Sequence, residues 1–194
     1  MEKERLTAFS DGVIAIIVTI MVLEIKAPHG DTWADLGALW SVFFSYVLSF
    51  AYVAIYWNNH HHLLYTCVRV NGAILWANMH LLFWLSLIPV ATAWLGENHF
   101  STRPTAIYGA ALLMPAIAYF ILQHAIVRAQ GPESLLLKAI GADIKGKISP
   151  PLYASAIALA FFAPAISNAI YVAVALMWLI PDRRIERLFR EDRT

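Results

Sequence analysis

The sequence predicts an all-α integral membrane protein with six transmembrane helices, and three observations lead to this fold class. Apolar residues make up 60% of the 194 positions and charged residues only 14%, a balance typical of a protein that is solvated by a lipid bilayer. Several apolar runs reach the length of about 20 residues that a helix needs to cross the hydrocarbon. The uneven distribution of lysine and arginine then indicates the number of crossings.

The first apolar run follows the segment MEKER, which mixes acidic and basic residues, and no small-residue cleavage site follows the run. We therefore expect a retained membrane helix and not a signal peptide. The second run carries Trp40, Tyr56 and Trp57 near its ends, where interfacial aromatic residues are common. A single domain over residues 1–194 is predicted, with a short basic cytoplasmic tail at 182–194 and helices at about 4–26, 36–57, 71–95, 105–128, 150–163 and 166–181.

The last apolar block, residues 150–181, is long for one membrane span and short for two. If the block breaks near Pro164 into two short helices, both termini are cytoplasmic and only Lys26 and Arg103, of the fourteen basic residues, lie outside. One continuous span would instead put seven basic residues on each side. Because cytoplasmic segments carry the excess of lysine and arginine, we expect two helices and a multi-pass protein of the cell membrane.

Composition argues against several classes of function. The formal net charge of +1 gives no basic field for binding nucleic acid, and the single Cys67 rules out a disulfide framework. The three histidines of the segment NNHHH are consecutive, so on a helix they diverge by about 100° each and cannot converge on one metal ion. No nucleophile beside a base and no phosphate-binding loop stands out. We therefore expect neither an enzyme nor a bound metal or cofactor.

The first helix has two sides of different chemistry. Ile16, Ile20 and Leu23 form an apolar stripe on one side. On a helical wheel these three residues lie within about 60° of one another. Thr19 flanks this stripe and Phe9 continues it, whereas Asp11 points roughly the opposite way. The carboxylate therefore cannot line the surface that the stripe faces. By its spacing alone the stripe is also consistent with helix packing or lipid contact, and a threonine in a membrane helix usually bonds to its own backbone.

The start of the first helix resembles a family signature. Arg5, Phe9, Ser10 and Asp11 form the pattern R-x-x-x-F-S-D at the opening of the first apolar segment. The segments WNNHHHLL, after the second helix, and NGAILWANMH, at the start of the third, are similar to the pattern of the same family. On these residues the chain resembles the transmembrane protein 175 family, which comprises endosomal and lysosomal potassium channels and their prokaryotic relatives.

The resemblance implies a channel for potassium and other monovalent cations. It implies four identical chains around a central pore, with the first helix of each chain lining the pore and without the TVGYG filter of ordinary potassium channels. It assigns the hydrophobic constriction to Ile16, Ile20 and Leu23, and the layer that favours potassium to Thr19. It also implies a structural network between helices that contains Arg5, Phe9, Ser10 and Asp11, to which we add a histidine of NNHHH, His61.

For Asp11 we expect a structural role. A negative charge is favoured at a helix start by the macrodipole, and Ser10 or Asp11 could accept hydrogen bonds from the free N–H groups of the first turn. Arg5 or a histidine such as His61 is the expected partner of Asp11, and direct ion contact and proton relay remain alternatives. His80, in the middle of the third helix, needs a hydrogen bond in hydrocarbon, and we expect its partner to be Asn78 or a residue of a neighbouring helix.

Other functions remain open at this point. A secondary cation transporter should have inverted repeats or broken helices in the middle of the membrane, and neither is evident in the sequence. A proton-permeable channel and a membrane enzyme or scaffold are further alternatives. A flux measurement separates a channel from a transporter, because a channel passes ions far faster than an alternating-access carrier.

Overall fold

The computed structural model describes residues 2–131, 134, 136–137 and 143–179. Within these residues all regular secondary structure is α-helical. The helices are α1 (Lys3–Leu23), α2 (Trp33–Gly37), α3 (Trp40–Tyr65), α4 (Gly72–Ser86), α5 (Ile88–Glu97), α6 (Thr102–Gln130), α7 (Ile144–Ala160) and α8 (Pro164–Leu179). The predicted tail at 182–194 lies outside the described residues.

Four stretches of the described chain are long and apolar enough to cross a membrane, namely Lys3–Leu23, Trp40–Tyr65, Gly72–Glu97 and Thr102–Gln130. A shorter apolar helix, Pro164–Leu179, follows them. The chain is an all-α integral membrane protein, as its composition predicts.

The middle helices differ from the predicted ones at their ends and in continuity. The second predicted helix, at 36–57, instead runs from Trp40 to Tyr65 and carries the polar NNHHH segment as its last turns. The third, predicted as one helix over 71–95, is divided at Leu87 into α4 and α5. Pro89, in the first turn of α5, explains the division, because proline lacks an N–H and its ring clashes with the carbonyl four residues earlier.

The last two helices meet at a short corner. α7 ends at Ala160 and α8 begins at Pro164, where the fixed φ of proline suits a helix start. α7 begins earlier than the predicted residue 150 because Asp143 caps it, accepting a hydrogen bond from the Gly146 N–H at 3.1 Å. The helix continues through Pro150 and Pro151.

Buried side chains form two clusters. The first lies between α1, α3, α4 and α6, and α1 contributes to it Leu6, Ile14, Ile17 and Met21. The second lies between α3, α5, α6, α7 and α8 and contains the buried tyrosines Tyr52, Tyr108, Tyr153 and Tyr171. α1 therefore packs on one side against the first cluster, and the second cluster holds the later helices together.

Hydroxyl groups of the second cluster bond across helices. Tyr52 donates to the Tyr171 carbonyl at 2.6 Å, and Tyr171 donates to the Thr105 carbonyl at 3.2 Å. The hydroxyls of Tyr108 and Ser49 lie 2.9 Å apart. Such bonds between membrane helices are each worth roughly 0.6–2 kcal/mol, so they fix the relative positions of α3, α6 and α8.

α3 and α5 approach closely at Gly96. The Ser41 hydroxyl donates to the Gly96 carbonyl at 2.8 Å. A Cβ atom at Gly96 would lie only 2.7 Å from the Val42 Cα, which is far inside the normal contact distance. The absence of a side chain at Gly96 therefore permits this backbone contact.

Candidate pore-lining helix and its polar network

α1 presents a buried face and an exposed face in the single chain. The buried positions recur every three or four residues and are Leu6, Ser10, Ile14, Ile17 and Met21, a spacing that places them on one side of the helix. The exposed large side chains include Phe9 at 51%, Ile16 at 58%, Ile20 at 43% and Leu23 at 76% of their full exposure. The stripe found on the helical wheel thus lies on the outer surface of the chain.

Thr19 lies on the same exposed face. Its hydroxyl donates to the Ile16 carbonyl at 2.9 Å, which is the local bond typical of a threonine inside a membrane helix. This bond uses the hydroxyl proton and leaves the lone pairs of the oxygen available. Thr19 can therefore offer an oxygen ligand to a cation beside the apolar stripe.

Asp11 lies away from this face and bonds to α3. Its carboxylate accepts a hydrogen bond from the indole N–H of Trp57 at 3.0 Å. The Trp57 ring packs beside the His61 ring, with centroids 6.3 Å apart, so His61 contacts the partner of Asp11. The aspartate and its tryptophan join α1 to α3 at the level where the polar turns of α3 begin.

Two expectations for the start of α1 differ from the structure. Arg5 is exposed and, among the residues that the structure describes, forms no hydrogen bond or ion pair, so Trp57 takes the position expected for Arg5 or a histidine. Ser10 and Asp11 do not cap the helix, because α1 begins two turns earlier, with Glu2 at the N-cap. The notion that Asp11 is stabilised by free N–H groups of the first turn is therefore wrong.

Ser10 belongs to a buried chain of hydrogen bonds that crosses three helices. Its hydroxyl donates to the Leu6 carbonyl at 2.8 Å and accepts from the Asn78 amide nitrogen at 2.9 Å. The amide oxygen of Asn78 lies 2.6 Å from Nε2 of His60. All three side chains, Ser10, Asn78 and His60, are completely buried, so α1, α4 and α3 are joined by polar contacts inside an apolar core.

The donor and acceptor roles in this chain follow from its chemistry. Because the Asn78 oxygen can only accept, Nε2 of His60 carries the proton in the bond between them. In a neutral ring Nδ1 then has no proton, and this buried atom has no hydrogen-bond partner in the described part of the chain. His60 is therefore held as one tautomer by Asn78.

Two half-buried polar residues, His80 and Asn168, also have hydrogen-bond partners. His80, for which we expect Asn78 or a neighbouring helix as partner, instead accepts from the Trp84 indole N–H at 2.8 Å, one turn along its own helix α4. Asn168 donates to the Pro164 carbonyl and to the Thr105 hydroxyl. No group of three His, Cys, Asp or Glu side chains suited to a metal ion is found within the described ranges.

Two members of the network, Trp57 and His60, were not assigned to it from the sequence. The interfacial position of Trp57 gave no indication of a carboxylate partner. His60, however, follows Tyr52 and Val53 by eight and seven residues, and all three are buried. A helical wheel extended through NNHHH would have grouped His60 with the core and separated it from His61 and His62.

Comparison with known proteins identifies the family. The model of the "Endosomal/lysosomal potassium channel TMEM175" family matches residues 5–89, a range that begins at the arginine of R-x-x-x-F-S-D. A potassium channel of Chryseobacterium sp. (strain P1-3) is 55% identical over 192 residues, covering 99% of this chain and 100% of the relative. The chain belongs to the TMEM175 family.

Solved structures and animal members extend the comparison. The crystal structure of a lysosomal potassium-selective channel TMEM175 homolog from Chamaesiphon minutus matches with a TM-score of 0.79 at 28% identity, covering 92% of this chain and 97% of that chain. The rat endosomal/lysosomal proton channel TMEM175 is 39% identical over 75 residues, covering 32% of this chain and 15% of the relative. The TMEM175 channel fold therefore accounts for nearly the whole chain, and the resemblance drawn from its first helix is confirmed.

Proposed function

We propose that this chain is a potassium-permeable cation channel in which four copies surround a central pore lined by α1. One observation carries the proposal: the exposed face of α1 is apolar over Ile16, Ile20 and Leu23 and carries a hydroxyl at Thr19, while Asp11 is bonded to Trp57 on another side. Copies of the same face can cover one another around a symmetry axis. The names of the bacterial relatives support potassium as the ion.

The proposed gate is a hydrophobic constriction. Four Ile16 side chains near the axis form an apolar ring, and Ile20 and Leu23 extend it over about 10 Å of helix. A narrow apolar ring excludes ions because water leaves it, and a small tilt of α1 that widens the ring lets partly hydrated cations pass. The gate thus requires movement of one helix face and no charged residue in the pore.

The proposed selectivity comes from Thr19. The sequence contains no TVGYG segment, so a filter of that type is not available to this chain. Four hydroxyl oxygens replace part of the hydration shell of the ion, and neutral oxygens exert a weak field. A weak field favours the cation that is cheaper to dehydrate, so we expect a modest preference for potassium over sodium.

The surrounding features have structural roles in this proposal. Ser10, Asp11 and His61 belong to a network that positions α1 relative to α3 and α4, and the described bonds of Ser10 and Asp11 support this role. Arg5 and Phe9, which the resemblance places in the same network, are both exposed in the single chain. The chain crosses the cell membrane six times, with both termini cytoplasmic. The distribution of lysine and arginine along the sequence supports this orientation.

Proton permeation is a second candidate function. It is favoured by the relationship to rat TMEM175, a protein named a proton channel. Protons can move along a chain of water molecules once the constriction is open, and this requires no selectivity filter. The same α1 pore could therefore conduct both protons and potassium. The two functions can be distinguished by measuring whether the protein passes potassium, or passes protons without any flux of potassium.

Flux from liposomes tests the proposal. The purified chain, reconstituted in liposomes, should pass potassium faster than sodium and exclude N-methyl-D-glucamine, at rates that an alternating-access carrier does not reach. Cross-linking in mild detergent should give a tetramer. A monomeric or dimeric protein that still conducts would refute the α1 pore, and a proton flux that is independent of potassium, without potassium flux, would favour the second candidate.

A further inference from the structure

A groove on the surface of the chain lies apart from the proposed pore. It runs between α4 and α6, has a volume of about 690 Å³, and its larger lining side chains are Trp76, His80, Phe120, Ile121, His124 and Arg128. The residues that line it come from these two helices and the Asn71 cap, and none belongs to α1.

Most of the groove wall is apolar and accessible. Trp76 is 75% exposed, and Phe120 and Ile121 are also exposed. From Arg128 to Phe120 the wall follows α6 for eight residues, a depth of about 12 Å at 1.5 Å per residue. An apolar wall of this length suits the hydrocarbon chain of a lipid.

One end of the groove carries a positive charge. Arg128 is the only charged residue among those that line it. Arg128 is exposed and, in the described part of the chain, forms no ion pair. A guanidinium at the mouth of an apolar groove matches a phosphate that is attached to hydrocarbon.

The charged end of the groove lies at the end of the bundle where α1 begins and where α3 and α6 end. The amide of Gln130 donates to the Thr66 carbonyl at 3.1 Å, and Lys3 donates to the Tyr65 carbonyl at 2.8 Å. These contacts bring the start of α1 and the ends of α3 and α6 together. Basic residues at a membrane surface attract anionic lipids, and basic pockets between membrane helices bind their headgroups.

His124 adds a polar group one turn below Arg128. Its Nδ1 lies 2.8 Å from the Phe120 carbonyl, which can only accept, so Nδ1 carries the proton and Nε2 of the neutral ring is an acceptor. The Phe120 ring packs on the imidazole with centroids 4.0 Å apart and holds it in place. A headgroup hydroxyl is a suitable donor to Nε2.

We infer that the groove between α4 and α6 binds one anionic phospholipid that carries a headgroup hydroxyl, of the phosphatidylglycerol type. Arg128 binds the phosphate, Nε2 of His124 accepts from the headgroup hydroxyl, and one acyl chain lies between Trp76 and the side chains of Phe120 and Ile121. The lipid covers the exposed aromatic wall and pairs the arginine.

Native mass spectrometry of the full-length protein, purified in detergent and titrated with defined lipids, tests the site. Phosphatidylglycerol should bind at least tenfold more tightly than phosphatidylcholine. It should also bind about fivefold more tightly than phosphatidylmethanol, which is anionic but lacks the hydroxyl, since a hydrogen bond is worth about 1 kcal/mol. Equal binding of phosphatidylglycerol and phosphatidylcholine would overturn the inference.

Matched variants localise the binding. Arg128→Gln should lower the affinity for phosphatidylglycerol to that for phosphatidylcholine, and Arg128→Lys should retain most of it. Arg103→Gln removes an exposed arginine at the opposite end of α6 and should have no effect. If Arg128→Gln and Arg103→Gln lower the affinity for phosphatidylglycerol equally, the lipid is attracted by the overall positive charge and not by Arg128. That result would refute the proposed site.

Two further variants test the chain-binding wall and the histidine. Ala129→Trp fills the groove and should abolish lipid binding, whereas Ala169→Trp, at an exposed position on α8, should not. His124→Phe should remove the preference for phosphatidylglycerol over phosphatidylmethanol. Loss of the oligomer in Ala129→Trp without any change in lipid binding would instead make this face a contact between copies of the chain and refute the lipid site.

Discussion

Trp57 of α3 donates its indole N–H to the Asp11 carboxylate of α1 across 3.0 Å. The bond joins the acidic residue of the R-x-x-x-F-S-D pattern to the neighbouring helix and holds it on the side away from Ile16. An aspartate near hydrocarbon is costly unless it is paired. The contact therefore explains how a carboxylate can lie at the mouth of an apolar helix without lining the surface that the apolar stripe presents.

Removal of the indole donor should weaken the protein. Trp57→Phe keeps an aromatic ring but leaves Asp11 without its donor, and we expect a loss of about 1–2 kcal/mol in the free energy of unfolding, since the bond has a charged acceptor. Thermal melting followed by fluorescence-detected size exclusion measures the loss. Trp33→Phe, at an indole that is 87% exposed, is the matched control, and equal melting of the two variants would refute a stabilising role for the bond.

The buried chain from Ser10 through Asn78 to His60 should behave as one unit. Asn78→Leu removes the shared partner of the other two and should cost about 1–3 kcal/mol, because the buried Nε2 of His60 loses its acceptor and Ser10 keeps only its bond to the Leu6 carbonyl. Ser10→Ala should then cost less in the Asn78→Leu background than in the wild-type protein. A double-mutant cycle on melting free energies measures this coupling. Strictly additive effects would mean that the two residues are energetically independent.

The contact at Gly96 should not tolerate a side chain. Gly96→Ala would put a Cβ atom 2.7 Å from the Val42 Cα, so α3 and α5 must separate and the Ser41 bond to the Gly96 carbonyl lengthens. We expect a loss of about 1–3 kcal/mol, the usual cost of overpacking. Gly37→Ala, where a Cβ meets no atom within 4 Å, is the control and should melt like the wild-type protein. A Gly96→Ala protein of unchanged stability would contradict the close approach.

Asp35 should titrate below its ordinary pKa of 3.8, because the Thr32 hydroxyl and then the Thr32 backbone N–H donate to its carboxylate. These bonds favour the ionised form, so the cap stabilises α2 above pH 3.8 and is lost as the pH falls through the lowered pKa. The amide shift of Thr32 in an NMR titration should have its midpoint below 3.8. Thr32→Val should raise the midpoint, and an unchanged midpoint would exclude the hydroxyl as the cause.

The two faces of α1 could be predicted because they depend on one helix alone. The positions of Ile16, Ile20 and Leu23 follow from the 3.6-residue period, and the surface on which they lie is exposed. The family also followed from the sequence, since the four residues of its signature stand at the start of the first helix.

The partners of the polar residues could not be predicted, because they depend on how two helices are rotated relative to each other. Whether His61 or Trp57 reaches Asp11 is decided by the rotation of α3 against α1, about which neither sequence pattern carries information. Arg5 lies on the same helix as Asp11, so its position on another side of α1 follows from the helical period alone. The pairing of Asn78 with His60 of α3 also depends on the rotation of two helices, whereas its separation from His80, two residues along α4, follows from the helical period. The division at Leu87, in contrast, depends on the position of Pro89 alone and can be predicted from the sequence.

The most direct test of the α1 pore is to measure the current and the reversal potential of Ile16→Asn and Thr19→Val channels under bi-ionic conditions. Ile166→Asn is the control, because Ile166 on α8 is exposed to a similar extent as Ile16. Ile16→Asn should wet the constriction and raise the resting current, because a polar amide removes the dewetting barrier at nearly unchanged width. Thr19→Val should shift the reversal potential towards equal potassium and sodium permeability while the pore still closes, and Ile166→Asn should change neither quantity. If Ile16→Asn leaves the current at the wild-type level and Thr19→Val leaves the reversal potential unchanged, α1 does not line the ion pathway.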